Sequence, residues 1–131
     1  MSTPLTNPRR CLLFVPGSRP ERFDKAVATG ADQVCIDLED AVAPADKQTA
    51  RAAVLAYLAD APAGHSEIGL RVNPVSSDLG RADLSALAAS AARPAFVMLP
   101  KVESAAELAA ADALLAGLDT QFIVQIETPK G

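Results

Sequence analysis

The sequence has 131 residues, half of them hydrophobic and 21% charged, which is the composition of one globular domain and excludes a disordered chain. A net charge of −4 argues against a general nucleic-acid binder, which carries a basic excess. No apolar run approaches the roughly 20 residues of a membrane span, and the opening MSTPLTNPRR lacks the apolar centre of a signal peptide, so it reads as a short polar lead-in.

The first apolar run, CLLFVPG (11–17), has the Val/Leu/Phe content and Pro/Gly boundary of a strand. PERFDKAVATG comes next as a helix, with Pro20 near its start, Gly30 as its stop, and Phe23, Ala26 and Val27 on one face. QVCIDLED (33–40) is the second strand. The stretch from Ala45 to Leu58 is the second helix, with Val54, Leu55 and Leu58 as its apolar face. IGLRVNP (68–74) is the third strand, and a weakly patterned helix runs over 82–92. AFVMLPKVE (95–103) is the fourth strand. Ser104 with Glu107 three residues on is a capping box, opening a helix that Gly117 closes. QFIVQIETPKG (121–131) is the fifth strand. Cys11 and Cys35 both sit in strand-like runs and are expected as reduced, buried thiols of a cytoplasmic protein. With no CxxC and a single histidine, a zinc site is not expected, and His65 in APAGHSE reads as a solvated loop residue.

Strand–helix alternation is the order of a parallel α/β fold. Neither a G-x-G-x-x-G nor a Walker-type loop comes after the first strand, which weakens a nucleotide-binding open sheet. Side chains two apart on a strand share a face. On that count Cys35, Asp37 and Glu39 share a face, as do Arg71 and Asn73, then Val97, Leu99 and Lys101, then Gln125 and Glu127. Ile36, Leu38, Leu70, Val72, Val124 and Ile126 take the opposite face. One face is thus apolar throughout, and the other turns polar only near the C-terminal strand ends. A (β/α)8 barrel has that layout, because its site lies on the C-terminal rim. A complete barrel takes about 250 residues, so residues 1–131 are expected to supply the first five strands and four helices of a single barrel domain. Either the sequence is part of a longer protein or half-barrels assemble.

LLFVPGSRPERFDKA, CIDLEDAVAP, RVNP, LPKVESAAEL and IETPKG, in this order from Arg10 to Gly131, resemble the citrate lyase beta chain family within the HpcH/HpaI aldolase and malyl-CoA lyase superfamily. The resemblance implies a magnesium-dependent carbon–carbon lyase. Such an enzyme cleaves a 3-hydroxyacyl-CoA, citryl-CoA or similar, to acetyl-CoA and a 2-oxo acid such as oxaloacetate. It implies Glu127 as a metal ligand that also meets the substrate, with a second ligand, an aspartate, beyond residue 131. Arg71 would bind substrate and meet the developing enolate, and Asp37, Glu39 and Asp40 would lie around the metal's water shell, with Asp37 and Glu39 close to the chemistry. Phe14, Arg19 and Lys25 would contact coenzyme A. The family tends to form trimers or their multiples, so a homo-oligomer is expected, with no nucleic-acid or membrane partner. The alternatives are a class II aldolase acting on pyruvate without coenzyme A, a malyl-CoA thioesterase, and a non-catalytic thioester-binding subunit. Lys101 as a Schiff-base lysine is the rival mechanism.

Overall fold

The computed structural model describes residues 8–61 and 63–131, so residues 1–7 of the polar lead-in lie outside it. The strands are β1 (Leu12–Pro16), β2 (Gln33–Asp37), β3 (Glu67–Arg71), β4 (Phe96–Leu99) and β5 (Gln121–Val124). The helices are α1 (Phe23–Ala28), α2 (Lys47–Ala59), α3 (Asp78–Ala89) and α4 (Ala105–Leu114), with single 3-10 turns at Pro20–Arg22 and Pro44–Asp46 leading into α1 and α2. All strand pairs are parallel and the spatial order is β1-β2-β3-β4-β5. A doubly wound sheet reverses its strand order at a switch point; this one never does, so it forms the wall of a barrel. Among the described residues no helix is long and apolar enough to cross a membrane.

Each helix is set by its flanks. Prolines 20 and 44 stand at the first position of the lead-in turns, where a missing N–H costs nothing. Ser104 accepts from the Glu107 amide, while the Glu107 carboxylate reaches back to the N–H of Glu103, so the capping box forms one residue wider than the sequence pattern implies. The third helix starts at Asp78, four residues before its expected start at 82. Ser77 caps it by accepting from Gly80 N at 3.0 Å, a signal masked by the glycine in the first turn.

The wall has two apolar faces. Toward the helices, Val34, Ile36, Leu38, Leu70, Val72, Val97 and Leu99 pack with Phe23, Val54, Leu58, Leu84 and Leu87 in the main core. On the inner face, Cys35, Phe96 and Met98 form a second cluster with Leu12 and Ile123 against it. Val97 and Leu99 therefore face the helices, which corrects their expected place on the polar face beside Lys101. The inner face is also polar at its N-terminal end, which the strand reading did not expect. There Arg9 grips Glu67 through Nε (2.9 Å) and Nη2 (3.2 Å) and reaches Gln121 at 2.8 Å, while Gln33 donates to Glu67 at 3.1 Å.

Cys35 is fully buried, but Cys11 is exposed, because β1 begins one residue later and Cys11 lies at the open foot of the wall. Its N–H donates to Asp32, which also accepts from Arg10 and contacts His65 Nε2 at 3.1 Å, so the half-exposed histidine is tethered and not merely solvated.

On the inner face the wall is close-packed at Gly69. A Cβ there would stand 2.4 Å from the Phe96 carbonyl oxygen and 2.6 Å from its ring, whereas one at Gly64 meets nothing within 4 Å. Gly69→Ala is expected to destabilise the fold by about 1–3 kcal/mol through overpacking, with Gly64→Ala close to neutral; urea unfolding midpoints of the two variants test this.

Candidate functional site at the C-terminal rim

Asp37 is the last residue of β2 and pairs in register with Arg71, the last residue of β3. The two side chains meet through two parallel bonds, Nε to Oδ1 and Nη2 to Oδ2, each 2.8 Å. Asp37 is only 1% exposed, and its carboxylate also accepts the N–H groups of Glu39 and Ala41, both at 2.9 Å. Four donors fill its acceptor positions, so Asp37 serves Arg71 and its own adjoining loop. Arg71 lies over the Phe14 ring at 4.8 Å and brings Nη1 to 3.4 Å from Gln125 Oε1.

Glu39 is also buried. Its Oε2 accepts from Lys101 Nζ, and Oε1 stands 3.4 Å from Arg71 Nε with no hydrogen-bond partner. Lys101 reaches Asp40 Oδ2 at 3.6 Å, while its backbone N–H donates to Glu127 Oε1 at 3.0 Å. Both Asp40 and Glu127 are exposed. Lys101 arrives at the rim by backbone conformation and not by strand parity: β4 has ended, and Lys101 has φ +52°, the one non-glycine residue with positive φ among the described residues. Asn73 likewise departs from its expected place beside Arg71. It lies beyond the end of β3 and is held by Lys47 on α2 and Asp83 on α3.

The structure therefore brings Asp37, Glu39, Asp40, Arg71 and Glu127 to one rim, with Phe14 beneath Arg71. It does not gather Phe14, Arg19 and Lys25 into a single lining. Arg19 lines a separate open cavity of about 340 Å³ with Ser18 and Pro20 of the β1–α1 loop and Thr49 of α2, and Lys25 is on the exposed face of α1. Three residues that the sequence reading did not mark stand directly behind the rim: Lys47, Arg51 and Asp83. Asp83 carried one legible signal, an acid in register with the buried face of α3 one residue before Leu84.

The profile of the HpcH/HpaI aldolase/citrate lyase family matches residues 10–131. The L-malyl-CoA/beta-methylmalyl-CoA lyase of Cereibacter sphaeroides is 38% identical over 117 residues, covering 88% of this chain and 37% of the relative. The (3S)-malyl-CoA thioesterase of the same organism is 38% identical over 125 residues, covering 95% and 42%. The citrate lyase beta subunit complexed with oxaloacetate and magnesium from Mycobacterium tuberculosis superposes with a TM-score of 0.69 at 41% identity, over 94% of this chain and 51% of that one. The chain thus spans less than half the length of these two curated relatives and about half of this solved structure.

The electrostatics of the rim are set by these contacts. Burial alone would raise the Asp37 carboxyl, but the bonds from Arg71 and the two backbone N–H groups outweigh it and hold the group below the usual carboxylate range. Hydrogen bonding to Glu39 raises the Lys101 ammonium, so that cation persists across neutral pH. Burial pushes the Cys35 thiol far up, which makes it inert. At the foot of the wall, hydrogen bonds from the Arg10 side chain and N–H lower Asp32 to about 2. Both depressed acids lie below the unfolded value of about 3.9, so an unfolded chain takes up their protons first as pH falls. The Asp32 contribution is complete above roughly pH 5 and is lost as pH drops through about 4 toward 2, and that of Asp37 is likewise lost on acidification. Asp32→Asn is expected to be less stable than the parent at pH 7, with the difference shrinking by pH 3 in urea unfolding. A constant difference would sink the assignment.

Proposed function

Because the chain belongs to the HpcH/HpaI aldolase/citrate lyase family, we propose that it forms the N-terminal part of a single barrel domain, a magnesium-dependent lyase. The substrate is a 3-hydroxyacyl-CoA, cleaved between its carbons 2 and 3 to acetyl-CoA and a 2-oxo acid. The observation that carries the reading is the charge at the rim. Four carboxylates (Asp37, Glu39, Asp40 and Glu127) face two cations, Arg71 and Lys101, leaving two negative charges among oxygen donors.

That donor set fits magnesium, which takes oxygen ligands and keeps several waters. Glu127 is exposed and has one oxygen on the Lys101 amide, so its other oxygen would be the direct ligand. Glu39 and Asp40 suit the water shell. No three metal-ligating side chains converge among the described residues, so the proposed site would need a further ligand. Magnesium, when bound, supplies Lewis-acid polarisation of the keto oxygen of the 2-oxo acid.

The chain's own residues then account for the rest. In the cleavage direction the 3-hydroxyl loses its proton, the C2–C3 bond breaks, and its electron pair passes into the thioester enolate, which a proton converts to acetyl-CoA. Asp37 takes the Nε proton and one Nη2 proton of Arg71, so Arg71 meets the enolate or the substrate carboxylate with its second Nη2 proton and with Nη1. Such a fixed donor contributes about 3–4 kcal/mol to turnover. Glu39 Oε1 is buried 3.4 Å from Arg71 Nε without a hydrogen-bond donor, so it keeps acceptor capacity beside the arginine. Asp37 positions Arg71. The cavity at Arg19, whose lining also holds Ser18, Thr49 and the acid Asp46, is the proposed place for a phosphate of coenzyme A, and Lys25 on the exposed face of α1 lies outside that lining. A cytoplasmic homo-oligomer, a trimer or a multiple of it, belongs to the same proposal.

The thioesterase relative, as similar as the lyase, makes hydrolysis of a malyl-CoA the second reading. Product analysis separates them: a lyase releases a 2-oxo acid and acetyl-CoA, a thioesterase free coenzyme A and a hydroxy acid. In the full-length protein Glu127→Gln is expected to weaken magnesium binding and to lower kcat by at least roughly 100-fold, with an unchanged circular dichroism spectrum. Calorimetric titration with magnesium beside a cleavage assay checks both; unaltered magnesium affinity would remove Glu127 from the metal site.

A further inference from the structure

Behind the rim the ladder between β2 and β3 is opened in a specific way. Leu38 N still donates to Arg71 O at 2.8 Å, so the next bond of a parallel ladder would run from Asn73 N to Leu38 O. That bond is absent. Asn73 N donates instead to Asp83 Oδ2 at 2.9 Å, and Leu38 O accepts from Lys47 Nζ at 2.9 Å. A side-chain cation and a side-chain anion, one from α2 and one from α3, have taken the two halves of a backbone hydrogen bond.

Lys47 is saturated by this arrangement. Its ammonium has three N–H groups, and they go to Leu38 O, Glu39 O (2.8 Å) and Asn73 Oδ1 (2.8 Å). The Asn73 amide is oriented without ambiguity, because Oδ1 meets a cation and Nδ2 meets Asp83 at 2.7 Å. Asp83 in turn is fixed by Arg51 Nε at 2.7 Å. The effect falls on Glu39. With its carbonyl pinned to Lys47 and its N–H pinned to Asp37, the backbone of Glu39 is held on both sides, and its side chain is sent inward to Arg71 and Lys101.

We propose that Lys47 is a positioning residue of the rim: by wedging open the β2–β3 ladder, it fixes the peptide that aims Glu39 and completes the loop closing over Asp37. Lys47 touches no reacting atom. It acts through Glu39, with Asn73, Asp83 and Arg51 as its backing. Preorganisation of this kind sets the precision of a site. The turnover arm rests on the lyase reading; the backbone arm does not.

The test is Lys47→Met in the full-length protein, read by residue-resolved hydrogen exchange and by steady-state kinetics. Amide exchange at Glu39 and Ala41 is expected to speed by at least about tenfold, while the ladder amides of Ile36 and Leu70 keep their protection. Cleavage should show kcat lowered roughly 10- to 100-fold with KM little changed. Lys47→Arg, which keeps the cation, should restore part of both; if the Met variant does not fold, Lys47→Gln carries the exchange measurement. A uniform rise in exchange across the strands, or none at Glu39 and Ala41, overturns the proposal, as does an unchanged kcat per folded molecule. If the parent protein cleaves no acyl-CoA, the lyase reading fails, and the exchange result alone decides the role of Lys47.

Discussion

The rim depends on one buried ion pair. Asp37 and Arg71 end neighbouring strands in register, and their two parallel hydrogen bonds fix the arginine's plane. Such a pair adds little net stability, because taking both charges out of water offsets their attraction. Its value is geometric: with the guanidinium fixed over Phe14, Glu39 approaches it from the side and Gln125 reaches in from beyond β5. Breaking the pair is another matter. Removing Arg71 leaves a carboxylate that is 1% exposed, at a cost of about 3–5 kcal/mol. Stability and site geometry therefore share one contact.

Strand parity was a reliable guide along β2 and β3, where Cys35 and Asp37 take the inner face and Ile36 and Leu70 the helix face. It also held for Glu39 and Gln125 past the strand ends, and it gave Val97 and Leu99 the wrong face because their phase was taken from Lys101. Past the ladder the two-residue period is not enforced. Asn73 swings to the helices, and Lys101 reaches the rim through a left-handed backbone. Lys47 and Arg51 were invisible for a different reason, and Asp83 showed only its register with the buried face of α3. Polar residues on amphipathic helices are ordinarily solvated, and nothing local says that Lys47 and Asp83 replace a missing backbone bond, with Arg51 behind them. The Arg9–Glu67–Gln121 contact joins residues up to 112 apart in the chain, beyond any local pattern.

The two ends of the inner face are polar for opposite purposes. At the N-terminal end, Arg9, Gln33, Glu67 and Gln121 satisfy one another. At the C-terminal end, the acids outnumber the cations and one buried oxygen of Glu39 has no donor. Between them Cys35, Phe96 and Met98 fill the space with apolar volume. Satisfied polar groups at the foot and an unsatisfied acceptor at the rim set the two ends of the wall apart.

The sequential strand order has a consequence for how the wall is built. Each strand pairs with the one made just before it, so every βα unit can dock on its predecessor as the chain lengthens from the N-terminus. Some side chains skip neighbours, and Arg9 reaches farthest. Its bond to Gln121 must wait until the fifth strand has been synthesised and placed, and Arg9 then links the first and last strands of the row across the whole foot. The residue written almost first is in this contact the last to find its partner, and its guanidinium marks when the fifth stave has reached its place.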